Sequence, residues 1–352
     1  MSIPHTVAAS TFIWGARAVL SSMKAGRRKM YKLFLTEKSV DHAHDDDDAG
    51  SARRQVAHLA AEARTPTQTV EPSFIEHVMR QTSPGVREQQ QIHDGVLLEL
   101  SALPQRPVAA LGAVLLSKAS FAVTLDRQHA EEAAVNGTSN ALAFGGGGGR
   151  HPVLIWMHGV VDTRNVGAIM RTALFLGADA VLRSERSTAS VTAAATRASA
   201  GASEVVDTLV VRDPLGFVKA SQAAGWRFYG AVAPGDGDGG GSRDRDVLDA
   251  LSMTENPAWT RPCVLVLGNE DLGLPRWMKK QLSQRITISG SPAAAQHGVD
   301  SLNVSVAGAI LAEKFLKLPP PSKDSSVDVP ERGRADGPTA DDPARPAGSR
   351  LF

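Results

Sequence analysis

The chain has 352 residues, 42% of them hydrophobic, with a formal net charge of +1. That length suits two ordinary domains and some tail, and the composition is globular. No run approaches the roughly 18 apolar residues of a membrane span, and the single cysteine, Cys263, excludes an intrachain disulfide. Its setting in "CVLVLG" reads as a buried strand, so the expected compartment is reducing.

The small net charge hides an asymmetry. Residues 1–40 hold Arg17, Lys24, Arg27, Arg28, Lys29, Lys32 and Lys38 against one acid, Glu37, a basic patch that suggests a polyanionic partner. The same region carries Arg and Ser without acids up to residue 36, which is transit-peptide chemistry. Yet "FIWGARAVLSSMKAGRRKMYKLFL" also reads as a helix followed by a strand of a folded domain.

An acidic loop with "HDDDD" leads into an Ala-rich helix, "SFIEHVMRQT" is helical, and "HDGVLLELSAL" (His93 to Leu103) is a strand. "DHAHDDDD" (Asp41 to Asp48) is expected to be a solvated loop rather than a cation site. The first domain therefore reads as a small α/β unit over 1–103. Residues 104–150 read as a flexible linker or expansion, with "GGGGG" (Gly145 to Gly149) as spacer.

From residue 151 the pattern is regular. Strands "PVLIWM", "DAVL", "EVVDTLVV", "WRFYGAVA", "PCVLVLG" and "RITIS" alternate with helices, and "SLNVSVAGAILAEKFLK" is a long last helix. Such alternation implies a parallel sheet with right-handed crossovers. Residues 319–352, rich in Pro, Asp, Arg and Gly, are expected to be disordered.

Parallel sheets place ligands at the carboxyl ends of their strands. Three segments at such ends carry polar residues. In "DTRNVGAIMRTALFLG" a helix from about Asn165 buries Val166, Ile169, Met170, Ala173 and Leu174, with Asn165 suited to cap it and Gly177 to end it. Arg164, Gly167 and Arg171 then face away from that stripe. A glycine inside a helix costs about 1 kcal/mol relative to alanine, so something should approach the backbone at Gly167. In "LVLGNEDLGLP", Gly268 would let the backbone approach a ligand, and Glu270 ends an uncharged run. In "ITISGSPAAAQHGVDSLNVSVAGAIL", Ser301 could cap the final helix, and Asn303 and Ser305 put polar groups into its first turns. Neither a dinucleotide fingerprint nor a zinc spacing is present, and no metal is expected.

Together, "NVGAIMRTA", "LGNEDLGL" and "SLNVSVAGAIL" resemble the three motifs of the SpoU branch of the SPOUT RNA methyltransferases, the 2′-O-ribose methylators. The likeness covers roughly 151–318, taken as the methyltransferase domain. Residues 1–103 are similar to the family's L30e-like RNA-binding module, as in its members acting on large-subunit rRNA, mitochondrial and bacterial. The sequence departs from the family pattern at Thr163, Asp271, Ser289, Asp94 and in a long loop from Gly290 to Asp300.

The resemblance implies an α/β fold whose C-terminal end is a deep trefoil knot, a homodimer, S-adenosylmethionine as cofactor, and an RNA substrate, a guanosine ribose of large-subunit rRNA. It implies a mitochondrial location. Catalytic roles would fall to Asn165, Arg171, Glu270, Ser301 and Asn303, and cofactor binding to Gly268, Ile288 and Leu302. Gly167 would leave room beside Arg171 for the nucleotide backbone. A tRNA ribose methylase shares all three motifs but usually carries short helical extensions in place of the N-terminal module. A non-catalytic RNA-binding assembly factor would have lost Arg171, Glu270 or Asn303.

Overall fold

The computed structural model describes residues 5–37, 48–82, 93–145, 149–235, 247–254 and 256–316. Most of the Asp-rich run, the middle of the glycine run, the loop 236–246 and the tail 319–352 lie outside the described residues. No helix among the described residues is long and apolar enough to cross a membrane.

The first sheet uses β1 (Thr11–Trp14), β2 (Met30–Leu35), β3 (Thr67–Thr69) and β4 (Val96–Leu100) in the order β1–β4–β2–β3. β4 is buried at all five positions and runs antiparallel to both β1 and β2. Successive residues of a strand face opposite sides of the sheet. Ile13, Leu33 and Leu98 therefore meet helices α1 (Ala16–Ala25) and α2 (Asp48–Glu62) on one face. Phe12, Trp14, Phe34 and Leu97 meet α3 (Pro72–Thr82) on the other. The sequence reading began with the helix and missed β1, whose "FIW" is short but pairs with β4. Residues 11–35 are thus built into this domain.

The second sheet has ten strands. Six of them are β8 (Val153–Met157), β9 (Ala180–Ser184), β10 (Thr208–Val211), β11 (Arg227–Ala231), β13 (Cys263–Leu267) and β14 (Gln284–Thr287), with β12 (Val247–Asp249) at one edge. The order is β12–β14–β11–β13–β8–β9–β10–β5–β6–β7, parallel from β12 through β5. Here β5 is Arg106–Leu115, β6 Ser120–Leu125 and β7 Ala141–Ala143, with a short helix α4 (Ala130–Asn136) before β7.

The region 104–150 is therefore not a linker but an antiparallel extension of the sheet. Its alternating apolar residues supply Val108, Leu111, Phe121, Val123 and Leu142 to the core. The Trp226 indole N–H donates to Gly112 O at 2.8 Å, and the Ser221 hydroxyl accepts from Leu111 N at 2.9 Å. The glycine run drew attention away from a period-2 pattern that the sequence does contain.

Helices cover both faces. Helices α5 (Thr163–Leu176) and α10 (Val304–Leu316) pack on Ile155, Met157, Leu265 and Leu267. Helix α7 (Pro214–Ala223) packs on Trp156, Leu182, Val264 and Val266 through Phe217 and Val218. A short helix α6 (Ala193–Ala198) lies between β9 and β10 in the chain.

Helix α5 differs from expectation at its start. Asp162 is the N-cap, accepting from Arg164 N at 2.8 Å, so Asn165 lies inside the helix and is free for other work. Gly177 ends it in the left-handed region, φ 83°. Gly167 is buried, and a Cβ there would lie 2.4 Å from Ala195 O and 2.6 Å from Ala198 Cβ. The close approach inferred at this glycine is real, but the approaching group is helix α6, not a ligand. The inference that Gly167 makes room for a nucleotide is thereby overturned.

The two sheets meet at a polar seam. The Arg28 guanidinium donates to Glu204 Oε1 at 2.9 Å, with both side chains at least 96% buried, and the Ser22 hydroxyl donates to Glu204 Oε2 at 3.0 Å. Arg28 also donates to Ser101 O and Thr11 Oγ1. Arg27 donates to the carbonyls of Val205 and Val206 and to Asp207. Burial is the largest influence on Arg28 and lowers its pKa, with Glu204 opposing it. Two cations of the N-terminal basic patch are thus used inside the protein, and Lys29 and Lys32 lie over the rings of Tyr31 and Phe34.

Two outcomes are expected. Glu204→Ala leaves a buried guanidinium uncompensated and should cost about 3 kcal/mol in denaturant unfolding. Gly167→Ala forces α5 and α6 apart and should cost about 1–3 kcal/mol, measured the same way.

Candidate active site

Four parallel strands, β8, β11, β13 and β14, end on one edge of the second sheet, and the loops after β11, β13 and β14 enclose, with the start of α10, a cavity of about 390 Å³. Its apolar wall is Val232, Ile286, Ile288, Leu302 and Leu311. The charged residues lining it, Glu270, Asp271 and Asp300, are all acidic.

The loop after β13 is organised by Asn269. Its Oδ1 accepts from Asp271 N at 3.0 Å and Leu272 N at 2.9 Å, and its backbone pairs with Gly273 in both directions. Its Nδ2 donates to Gly159 O at 2.8 Å, tying this loop to the one after β8. Gly268 is required by the same fold, since a Cβ there would lie 2.6 Å from Gly273 C.

Glu270 completes the link. Its carboxylate accepts from Val161 N at 3.2 Å, Asp162 N at 3.3 Å and the Asn165 side-chain amide at 3.1 Å. An anion at the start of a helix meets both unpaired N–H groups and the positive end of the helix dipole. The Asn165 Oδ1 then accepts from Asn303 Nδ2 at 3.2 Å. Asn303 also caps α10, its Oδ1 accepting from Ser305 N at 2.9 Å and the Ser305 hydroxyl at 2.6 Å. Three turns spread over more than a hundred residues of chain are thus joined through Asn303, Asn165 and Glu270.

The residues singled out from sequence fall into three groups. Gly268, Glu270, Ile288, Ser301 and Leu302 line the cavity. Asn165 and Asn303 sit in the hydrogen-bonded chain beside it. Arg171 is exposed on α5, six residues beyond Asn165, or about 9 Å of helix rise, and no contact joins it to Glu270 among the described residues. Ser301 is not the cap of α10; its hydroxyl donates to Asp300 at 2.9 Å. The loop 290–300 contains a short helix, α9 (Pro292–Gln296), capped by Ser291.

Two features escaped the sequence reading. One is Asn269, whose side chain holds the whole turn. Residues 231–234, "AVAP", line the cavity at the end of β11. Their position after a strand of the same sheet was the available signal.

Beside the site, His158 follows β8 and is 8% exposed. Ser184 Oγ accepts the Trp156 indole N–H at 3.0 Å and lies 2.7 Å from His158 Nδ1. The hydroxyl can donate to Nδ1 or accept from it, so the contact suits a neutral imidazole of either tautomer. Burial holds its pKa below the ordinary value.

Residues 152–313 match the SpoU rRNA Methylase family model. The chain is 35% identical over 165 residues to a protein of Homo sapiens named rRNA methyltransferase 1, mitochondrial, covering 46% of this chain and 45% of that one. It is 33% identical over 160 residues to the protein of the same name in Schizosaccharomyces pombe, covering 46% and 50%. It thus spans about half the length of the curated relatives it matches. Among solved structures, the SpoU methyltransferase AviRb from Streptomyces viridochromogenes in complex with AdoMet aligns over 88% of this chain and 90% of that one. The TM-score is 0.56 and the identity 16%. An AdoMet-bound rRNA methyltransferase from Sinorhizobium meliloti aligns over 87% of each chain, with TM-score 0.54 and 17% identity. The fold is that of the SPOUT methyltransferases.

His158 yields a pH dependence. Its charged form is disfavoured only in the folded state, so its contribution is neutral above the unfolded pKa of about 6.5 and destabilising as pH falls below it. His93 and His151 are shifted the same way by burial. Unfolding midpoints should be flat above about pH 7 and fall towards pH 5, with a shallower fall in His158→Asn.

Proposed function

We propose that the chain methylates a ribose 2′-oxygen in RNA, using S-adenosylmethionine, and that the target is a guanosine of large-subunit rRNA in the mitochondrion. The observation that carries the reading is the chain Asn303–Asn165–Glu270, which ties three motif turns together at the mouth of a strand-end cavity. The relatives named as mitochondrial rRNA methyltransferases support the substrate class and the compartment.

The cavity fits the cofactor on its own chemistry. An apolar wall suits an adenosine, and a lining whose charges are all acidic suits a cationic sulfonium better than a phosphate-bearing dinucleotide. When bound, S-adenosylmethionine supplies an electrophilic methyl group. Gly268, Ile288 and Leu302 would hold it, with the backbone of 231–234 contributing. The residues at the mouth then hold the RNA. Arg171, exposed and without a partner among the described residues, would bind the phosphate next to the target ribose and polarise its 2′-hydroxyl. A guanidinium keeps its proton near neutral pH, so orientation and charge matter more here than proton removal by Arg171. Glu270 and Asn165 would place the ribose through the loop after β8, and Ser301 and Asn303 would order the third turn.

On this reading the first domain is an L30e-like module that binds RNA. The chain works as a homodimer, and the segments from β13 to α10 form the knot.

Two measurements test the reading. Arg171→Ala should lower methyl incorporation into rRNA by about 100-fold or more while leaving cofactor affinity by calorimetry unchanged; full activity would defeat the assignment. Ribose-methylation mapping of rRNA and tRNA, with and without the protein, should lose a single large-subunit rRNA site. Loss of a tRNA site instead would transfer the activity to that substrate.

A further inference from the structure

We infer that Trp277 is a stacking platform for an unpaired base of the RNA, seated beside the cavity next to the target nucleotide. The inference rests on the RNA reading above and concerns a residue outside the three motifs.

Four of the five tryptophans have other fates. Trp14, Trp156 and Trp226 are at most 2% exposed, and Trp259 is partly buried. Trp277 is 36% exposed. It lies on the one-turn helix α8 (Arg276–Lys279), which follows the cavity-lining loop 268–273 after only two residues. The next residue, Met278, is fully buried, so it anchors the turn in the core while the indole faces outward. His158 meets the indole nearly perpendicular, with centroids 5.6 Å apart and an interplanar angle of 86°. That contact fixes the plane of the ring from below. An aromatic ring already held in place loses little conformational entropy when a ligand stacks on it.

The surroundings match a nucleotide. Leu272 and Val161, in the loops after β13 and β8, are 85% and 60% exposed. Arg276, Lys279 and Lys280 stand on the same short segment, where the cavity lining carries only acids. Bases of unpaired RNA stack on aromatic side chains, and neighbouring Lys and Arg take the phosphates. A protein partner would be met by the same apolar residues but would not need the cations.

The test uses the full chain and a 12-nucleotide single-stranded RNA, with the same sequence as a duplex for control. Trp277→Leu keeps an apolar contact with His158 but removes the π face, and Trp277→Phe keeps both. Wild type should bind the single strand with quenching of tryptophan emission. Trp277→Leu should bind about 10-fold more weakly, without that quench and with an unchanged thermal midpoint and cofactor affinity. Trp277→Phe should recover most of the affinity, and duplex binding should not change.

Equal single-strand affinity in wild type and Trp277→Leu would overturn the inference while leaving the methyltransferase reading intact. So would a changed sedimentation coefficient in Trp277→Leu with RNA binding unaltered, which would assign the indole to a second copy of the chain. A wild type that neither binds RNA nor methylates it would overturn both. Should Trp277→Leu fail to fold, absence of quenching in wild type, with the RNA bound, still decides against stacking.

Discussion

One carboxylate holds the candidate site in shape. Glu270 accepts two backbone N–H groups and one side-chain amide from the loop and helix after β8. Those donors belong to a helix start, where such groups have no partner in the helix itself. Without the carboxylate, Val161 N, Asp162 N and the Asn165 amide would lose their acceptor. The link also passes on through Asn165 to Asn303, so that the beginning of the last helix is placed by the same anion. A single side chain thereby sets the relative position of loops that the sheet alone would leave independent.

The sheet provides what the carboxylate cannot. Parallel register puts the carboxyl ends of β8, β11, β13 and β14 on one edge, and the buried strands leave only the loops free to vary. Small residues make the packing beneath them possible. Gly167 lets α6 touch α5, and Gly268 lets a turn fold against its own return strand. Both glycines stand within the motifs, yet their steric reason is internal to the protein. A residue can sit within a functional motif and still be there to let two backbones meet.

Much of this was legible from residues alone. The parallel strands from 153 onward announced themselves through apolar runs, and Gly177 ends its helix as the sequence suggests. The three strand-end segments do converge. What could not be read was partnership at a distance. The cap of α5 is Asp162, which leaves Asn165 inside the helix to pair with Glu270 and Asn303. Ser301 and Asn303 look alike as caps in the sequence, and only the start of α10 at Val304 separates them. The strands β5 to β7 were passed over because their neighbours are rich in glycine, although their alternation was present. The basic N-terminus suggested a polyanion, yet Arg27 and Arg28 serve carboxylates and carbonyls of the same chain.

The seam built on Arg28 and Glu204 has a geometric corollary. A pair of charges removed from water tolerates little sliding, because each would lose its counter-ion before regaining solvent. The N-terminal sheet is therefore held at a set offset from the strand-end cavity, by docking rather than by tether length. Any macromolecule that touches both must present two features separated by that one span. Spacing alone would then discriminate between such ligands.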